Sequence, residues 1–149
     1  PKNNLDYFIQ IGKAKVLKQG DSATVLCYSS TVNLALLAAK DLQTKGIDIE
    51  IIDLRTLSAM DIDYETIGQS LKKTGTLFIV EQAPANMSLG PSIACRCQQR
   101  FFDYLDTPIQ TISSLDIPNP VSKKLEDAVV PNVKLVVDVV EKAARRIAE

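Results

Sequence analysis

The sequence predicts an α/β/α sandwich built on a mostly parallel sheet. Short β-rich apolar runs alternate with helical segments along the chain, strand then helix four times over. The central runs, Ala23 to Tyr28 and Leu77 to Val80, are apolar without a polar alternation, as in strands buried on both faces. At 149 residues, the chain is long enough for one domain with its own core.

The elements follow in order. Ala14 to Leu17 reads as a short strand closed by Gln19-Gly20-Asp21-Ser22, and its lysine-bearing character suits a sheet edge. Ala23 to Tyr28 is a central strand. Ser29-Ser30-Thr31 offers N-caps to a helix from Val32 to Thr44, which stops at Lys45-Gly46. That helix is apolar almost all round, so a second side is expected against another domain or subunit, with Val32, Leu36 and Ala39 at the interface. Ile47 to Leu54 is the next strand. Asp63 caps a helix from Tyr64 to Lys73 that ends at Gly75, and Leu77 to Glu81 is the strand after it.

Pro91 suits the first turn of a helix running to Tyr104, with Ile93, Cys97, Phe101 and Leu105 as its core stripe. Ile109 to Ser113 is a last strand. Leu115 to Pro120 is a loop too rich in proline for helix, and Lys123 to Ala128 a short turn. Asn132 opens the final helix, Val133 to Glu149, facing its core with Val133, Val136, Val137, Val140, Ala144 and Ile147.

Composition excludes several function classes. Hydrophobic residues make up 46%, charged residues 23%, and the net charge is −1, so nothing points to nucleic acid or an anionic membrane. No apolar run approaches a membrane span, and the polar start Pro1-Lys2-Asn3-Asn4 is unlike a signal peptide. The missing initiator Met suggests a piece of something longer, with residues 1–10 as a linker and 11–149 as the domain. Cys27, Cys95 and Cys97 have no scaffold spacing and read as filler in a reducing compartment. No His is present, which removes the commonest general base and any His-activated nucleophile, and no metal site is expected.

Function is expected at the carboxyl ends of the strands, where open α/β sheets hold ligands and partners. Glu81 and Gln82 are expected to emerge there, in a loop of Pro, Asn and Ser. For Glu81 a structural or interface role outweighs a catalytic one. Ser29 to Thr31 could hold an anion at a helix start, but without Gly or Lys plain capping is favoured. Arg55 suits a salt bridge or an interface, Asp61 and Asp63 a helix start, and Asp103 and Asp106 a solvated surface.

Several segments in order resemble one family: Gly12-Lys13-Ala14, Val25 to Thr31, Ile51 to Leu57 with Met60-Asp61, Lys73-Thr74-Gly75, Val80-Glu81, Leu105 to Pro108, Asp116-Ile117-Pro118-Asn119-Pro120, and Leu125-Glu126-Asp127 with Val130-Pro131. Together they look like the C-terminal domain of the beta subunit of a thiamine-diphosphate-dependent 2-oxo acid dehydrogenase, the pyruvate dehydrogenase branch fitting best. The resemblance implies a transketolase C-terminal fold, a five-stranded mixed sheet with one antiparallel edge strand between helices. It implies an oxidoreductase whose thiamine diphosphate and magnesium lie between other domains, so this domain holds no cofactor and is inactive alone.

The implied partners are the rest of the beta chain, an alpha subunit (separate or fused), a second beta subunit and a dihydrolipoyl acyltransferase. The matching loop lies near the acyltransferase docking surface, which makes Glu81, Gln82 and Asn86 the expected docking residues. The implied compartment is the bacterial cytoplasm, or the mitochondrial matrix or plastid of a eukaryote. Branched-chain members carry a His where Glu81 stands, and many pyruvate-type members have glycines around Asn86 and Ser88, so no catalytic residue is carried over. Alternatives are the same domain from a branched-chain or transketolase-type enzyme, or a free-standing α/β domain binding a small ligand between the Ser29 and Glu81 loops.

Overall fold

A computed structural model describes residues 8–58 and 60–147. Strands β1 (Lys15–Lys18), β2 (Ala23–Cys27), β3 (Ile49–Asp53), β4 (Leu77–Pro84) and β5 (Gln110–Ser114) form one sheet in the order β1-β3-β2-β4-β5. β1 runs antiparallel to β3, and the other neighbours are parallel. The helices are α1 (Thr31–Thr44), α2 (Tyr64–Thr74), α3 (Gly90–Phe101), α4 (Lys123–Val129) and α5 (Val133–Ile147). The fold is the five-stranded mixed sheet expected, with β1 as its antiparallel edge. Lysines and a register shift between Val16 and Lys18 blunt that edge against further pairing.

Each face of the sheet carries its own core. Val25, Cys27, Ile49, Ile51, Phe78 and Val80 point toward α1 and α5. Leu26, Ile52, Leu77 and Ile79 point toward α2 and α3. The alternation along each strand divides these sets, so a central strand buried on both sides has no polar face. α1 and α5 form one outer layer, α2 and α3 the other.

Local signals set several boundaries. The Asp63 side chain accepts from the Thr66 N–H at 3.1 Å and caps α2, while Gly75, at φ +63°, closes it in the left-handed conformation. The Asn132 side chain accepts from the Leu135 N–H at 2.9 Å at the start of α5. In α5 Val136, Val137, Val140 and Ala143 are buried, while Ala144 is half-buried, because the true period is about 3.6 residues.

Other expectations are corrected. β4 runs on to Pro84, held by pairing of Pro84 with Ser114 across a register shift. α3 ends at Phe101 and continues as a single tighter turn, Phe102–Tyr104. The segment expected to be a turn at Lys123 is the helix α4. Ser30 makes no side-chain cap to α1; Ser29 stands at φ +56°, and the Thr31 hydroxyl donates back to the Tyr28 and Val80 carbonyls at 2.8 and 2.9 Å. The first seven residues of the expected linker, and the end of the last helix beyond Ile147, lie outside the described residues.

α1 is less exposed than its composition suggests. Ala39, expected at a subunit interface, is 2% exposed and packs inside its own domain, facing the sheet and α5. Val32 and Leu36 are half-buried against the same core, and the outward apolar residue is Leu37. A two-sided apolar helix here is explained by a helix wedged between a sheet and a neighbouring helix.

Candidate functional site

The chain order dictates where a crevice forms. From β2 the chain crosses through α1 to β3 on one side, then returns through α2 to β4 on the other. The carboxyl ends of β2 and β4 therefore diverge at a topological switch point, the position where open α/β sheets place ligands. Tyr28 follows β2, and Glu81 lies in β4 beside it.

Glu81 does not emerge into solvent. It is 0% exposed, and four donors converge on its carboxylate. The Tyr28 hydroxyl donates to Oε2 at 3.0 Å and the Gly90 N–H to the same oxygen at 2.9 Å. Ser88 and Ser113 hydroxyls donate to Oε1 at 2.7 and 3.2 Å. Gly90 is the first residue of α3, so the positive end of that helix also faces the carboxylate. Burial, and then the negative Glu81 beside it, push the Tyr28 phenol above its ordinary range. The expectation that Glu81 is a surface docking residue is thereby corrected. Arg55 is exposed at φ +58° and makes no ion pair among the described residues.

The exposed part of the site lies one step further out. Gln82 is exposed; its side-chain oxygen accepts from the Ser30 hydroxyl at 2.6 Å, and its carbonyl accepts from the Ser114 hydroxyl at 3.1 Å. These bonds join the Ser29 and Glu81 loops. The Asn86 backbone N–H and side-chain amide both donate to the Asp116 carboxylate, at 3.1 and 2.8 Å. Around that bidentate contact is a groove of about 430 Å³, walled by Pro84, Met87, Ile117 and Pro118. Met87 is 86% exposed, and Ile117 across the groove is exposed as well. Sequence reasoning places Gln82 and Asn86 here, but reads residues 115–120 only as a stiff loop. The Asp116-Ile117-Pro118 string is the signal for the second wall.

What the site can do chemically is limited. Both oxygens of Glu81 are engaged by donors, which leaves no free carboxylate to move a proton. Among the described residues no three metal-ligating side chains come together. The thiols of Cys27 and Cys97 are pushed up to about 12 by burial; nearby Asp53 adds to the rise at Cys27, and Arg100 opposes it at Cys97. Neither is a nucleophile near neutrality. This donor set does not fit a diphosphate with its metal. The groove combines apolar and proline walls with the amides of Asn86 and Asn119.

The fold defines the chain as a doubly wound α/β domain with its crevice at the β2–β4 switch point. The model of the transketolase C-terminal domain family matches residues 12–136, and the chain belongs to that family. It is 44% identical over 136 residues to the pyruvate dehydrogenase E1 component subunit beta of Rhizobium meliloti, covering 91% of this chain and 29% of that protein. The mitochondrial subunit beta of Dictyostelium discoideum is 38% identical over 141 residues, covering 95% of this chain and 39% of its own length. Among solved structures, a split-gene transketolase described as an inactive beta4 tetramer superposes with a TM-score of 0.79 at 25% identity, covering 95% of this chain and 44% of that one. The chain thus spans less than half the length of these relatives. No helix among the described residues is long and apolar enough to cross a membrane.

Proposed function

We propose that this chain is the C-terminal assembly and docking domain of a pyruvate dehydrogenase beta subunit, part of a decarboxylating oxidoreductase and not catalytic alone. The observation that carries the reading is the 44% identity to a pyruvate dehydrogenase E1 subunit beta over 91% of the chain, a match that spans 29% of that protein's length. Thiamine diphosphate and magnesium are then held by other parts of the enzyme. The relatives are bacterial, mitochondrial and chloroplastic, and three free thiols suit the reducing interiors that those names describe.

The groove between Met87 and Ile117 is the proposed docking surface for the dihydrolipoyl acyltransferase, with Gln82 and Asn86 at its rim. Its apolar walls would supply affinity and the rim amides orientation. The outward Leu37 of α1, together with the parts of half-buried Val32 and Leu36 that stay accessible, is the proposed contact with the alpha subunit, a second beta subunit or the rest of the beta chain.

The test is calorimetry of the intact enzyme with the acyltransferase's subunit-binding domain. Met87→Asp places a charge in the groove wall and is expected to weaken docking by about tenfold or more, as for a central interface residue. Wild-type affinity in a folded Met87→Asp enzyme would remove the groove from the interface.

A further inference from the structure

Glu81 is a buried carboxylate with no Lys or Arg among its hydrogen-bond partners in the described residues. Burying a carboxylate is costly, and a hydrocarbon of similar volume would pack a parallel strand at less expense. Stability alone therefore does not account for the residue. What the carboxylate does that a hydrocarbon could not is join segments distant in sequence: Tyr28 after β2, Ser88 in the turn after β4, Gly90 at the start of α3, and Ser113 in β5.

The surrounding chain is shaped to admit it. A Cβ on Gly90 would lie 2.1 Å from Glu81 Oε1, so the carboxylate occupies the space that any other residue at position 90 would fill. The Ser88 hydroxyl sits 2.7 Å from Oε1 and 3.2 Å from the Ala85 carbonyl oxygen, closing the turn on itself. Asn86 and Met87, which form one wall of the groove, lie inside that turn, between Ala85 and Ser88.

We propose that Glu81 is a positioning residue for the groove: its carboxylate clamps the turn at residues 85–88 between the switch point and α3, and so holds Asn86 against Asp116 and Met87 in the groove wall. A satisfied polar network specifies one geometry where an apolar contact would tolerate several. That the held surface is a docking site rests on the function proposed above; that Glu81 holds it does not.

Amide hydrogen exchange on the intact protein separates the two. Glu81→Gln turns one acceptor oxygen into a donor facing other donors. It is expected to speed exchange at residues 85–90 by about tenfold or more, the loss of a hydrogen bond to a charged group, while amides of β2, β3 and α1 keep their rates. Gly90→Ala, which leaves the charge and displaces the carboxylate, should reproduce the same local change. Ser88→Ala is the milder variant should either fail to fold, and a smaller rise confined to the same turn is expected from it. Unchanged exchange at 85–90, or an equal rise across the whole domain, would overturn the proposal. If the turn loosens while acyltransferase docking keeps its affinity, the positioning role stands and the docking reading fails.

Discussion

The Tyr28 hydroxyl and the Glu81 carboxylate meet at 3.0 Å across the point where the sheet reverses its winding. Removing the hydroxyl with Tyr28→Phe leaves a buried carboxylate one donor short and is expected to lower stability by about 1–2 kcal/mol. The phenol's folded pKa is raised above the unfolded value of 10.0 by burial and by Glu81. A raised pKa gives stability that is full below 10.0 and lost as pH rises through the folded value. Melting curves above pH 10 should therefore fall more steeply in the wild type than in Tyr28→Phe. Parallel alkaline limbs would show that this phenol is not the group titrating there.

Asp63 works at the opposite end of the pH scale. Burial alone would raise its pKa, but the N–H groups of Thr66 and Ala14, the Thr66 hydroxyl and Lys13 together lower it below 3.8. The stability it supplies is present above 3.8 and lost as pH falls through the lower folded value. Asp63→Ala should cost about 1–2 kcal/mol near neutrality, as for other lost N-caps. Asp63→Asn should keep part of the cap yet flatten the acid limb of the melting profile. An acid limb unchanged in Asp63→Asn would place the titration on another carboxylate.

Two ion pairs of similar form should differ sharply when broken. Glu50 is 3% exposed and is paired with Lys73, whose other contact is Gln19 at 3.2 Å. Lys73→Met strands a buried acid and should cost about 1–3 kcal/mol. Lys134 and Asp138 form an exposed pair along α5, and Lys134→Met should change denaturant midpoints little. Equal effects from the two variants would mean that burial of Glu50 does not govern its pairing.

Close approach sets the demand at Gly20, where a Cβ would lie 2.3 Å from the Ile49 carbonyl carbon. That obstacle is backbone, which cannot swing aside. Gly20→Ala should therefore cost about 3 kcal/mol, the upper part of the range for overpacking. A Cβ on Gly46 would meet none of the other described residues within 4 Å, but φ is +77°, so Gly46→Ala carries only the left-handed penalty of about 1–2 kcal/mol. Urea unfolding of both variants checks the order, and a larger loss at Gly46 would contradict it.

How far the sequence can be read depends on how local each cause is. α2 is legible because Asp63 and Gly75 mark its ends by their own chemistry. The core stripe of α3 is legible for the same reason, with Ile93 and Cys97 buried at four-residue spacing. The extension of β4 to Pro84 is not, because proline signals a break and the pairing that overrides it comes from Ser114. Sequence places Glu81 correctly along the chain and wrongly in depth. A polar pair before Ala-Pro reads as loop, and the donors that make burial tolerable lie as far away as Tyr28 and Ser113. Ala39 is misread because composition cannot distinguish a helix between two layers of one domain from a helix between two subunits.

The thiols give a check that needs no partner protein. Cys95 and Cys97 stand two residues apart on α3, and their side chains diverge: Cys95 is exposed, Cys97 is buried, and Cys27 is buried in β2. All three are free. Burial pushes Cys27 and Cys97 up to about 12, so near neutral pH they hold almost no thiolate and no path to a reagent. Native protein at about pH 8, close to the ordinary thiol range, should thus show one rapidly labelled cysteine, identified as Cys95 by mapping. The other two should appear only after denaturation. Rapid labelling of Cys97 in the folded protein would mean that α3 opens from the sheet more readily than its packing allows. A Cys95–Cys97 disulfide would be incompatible with the helix itself, since the two sulfurs face different sides of it.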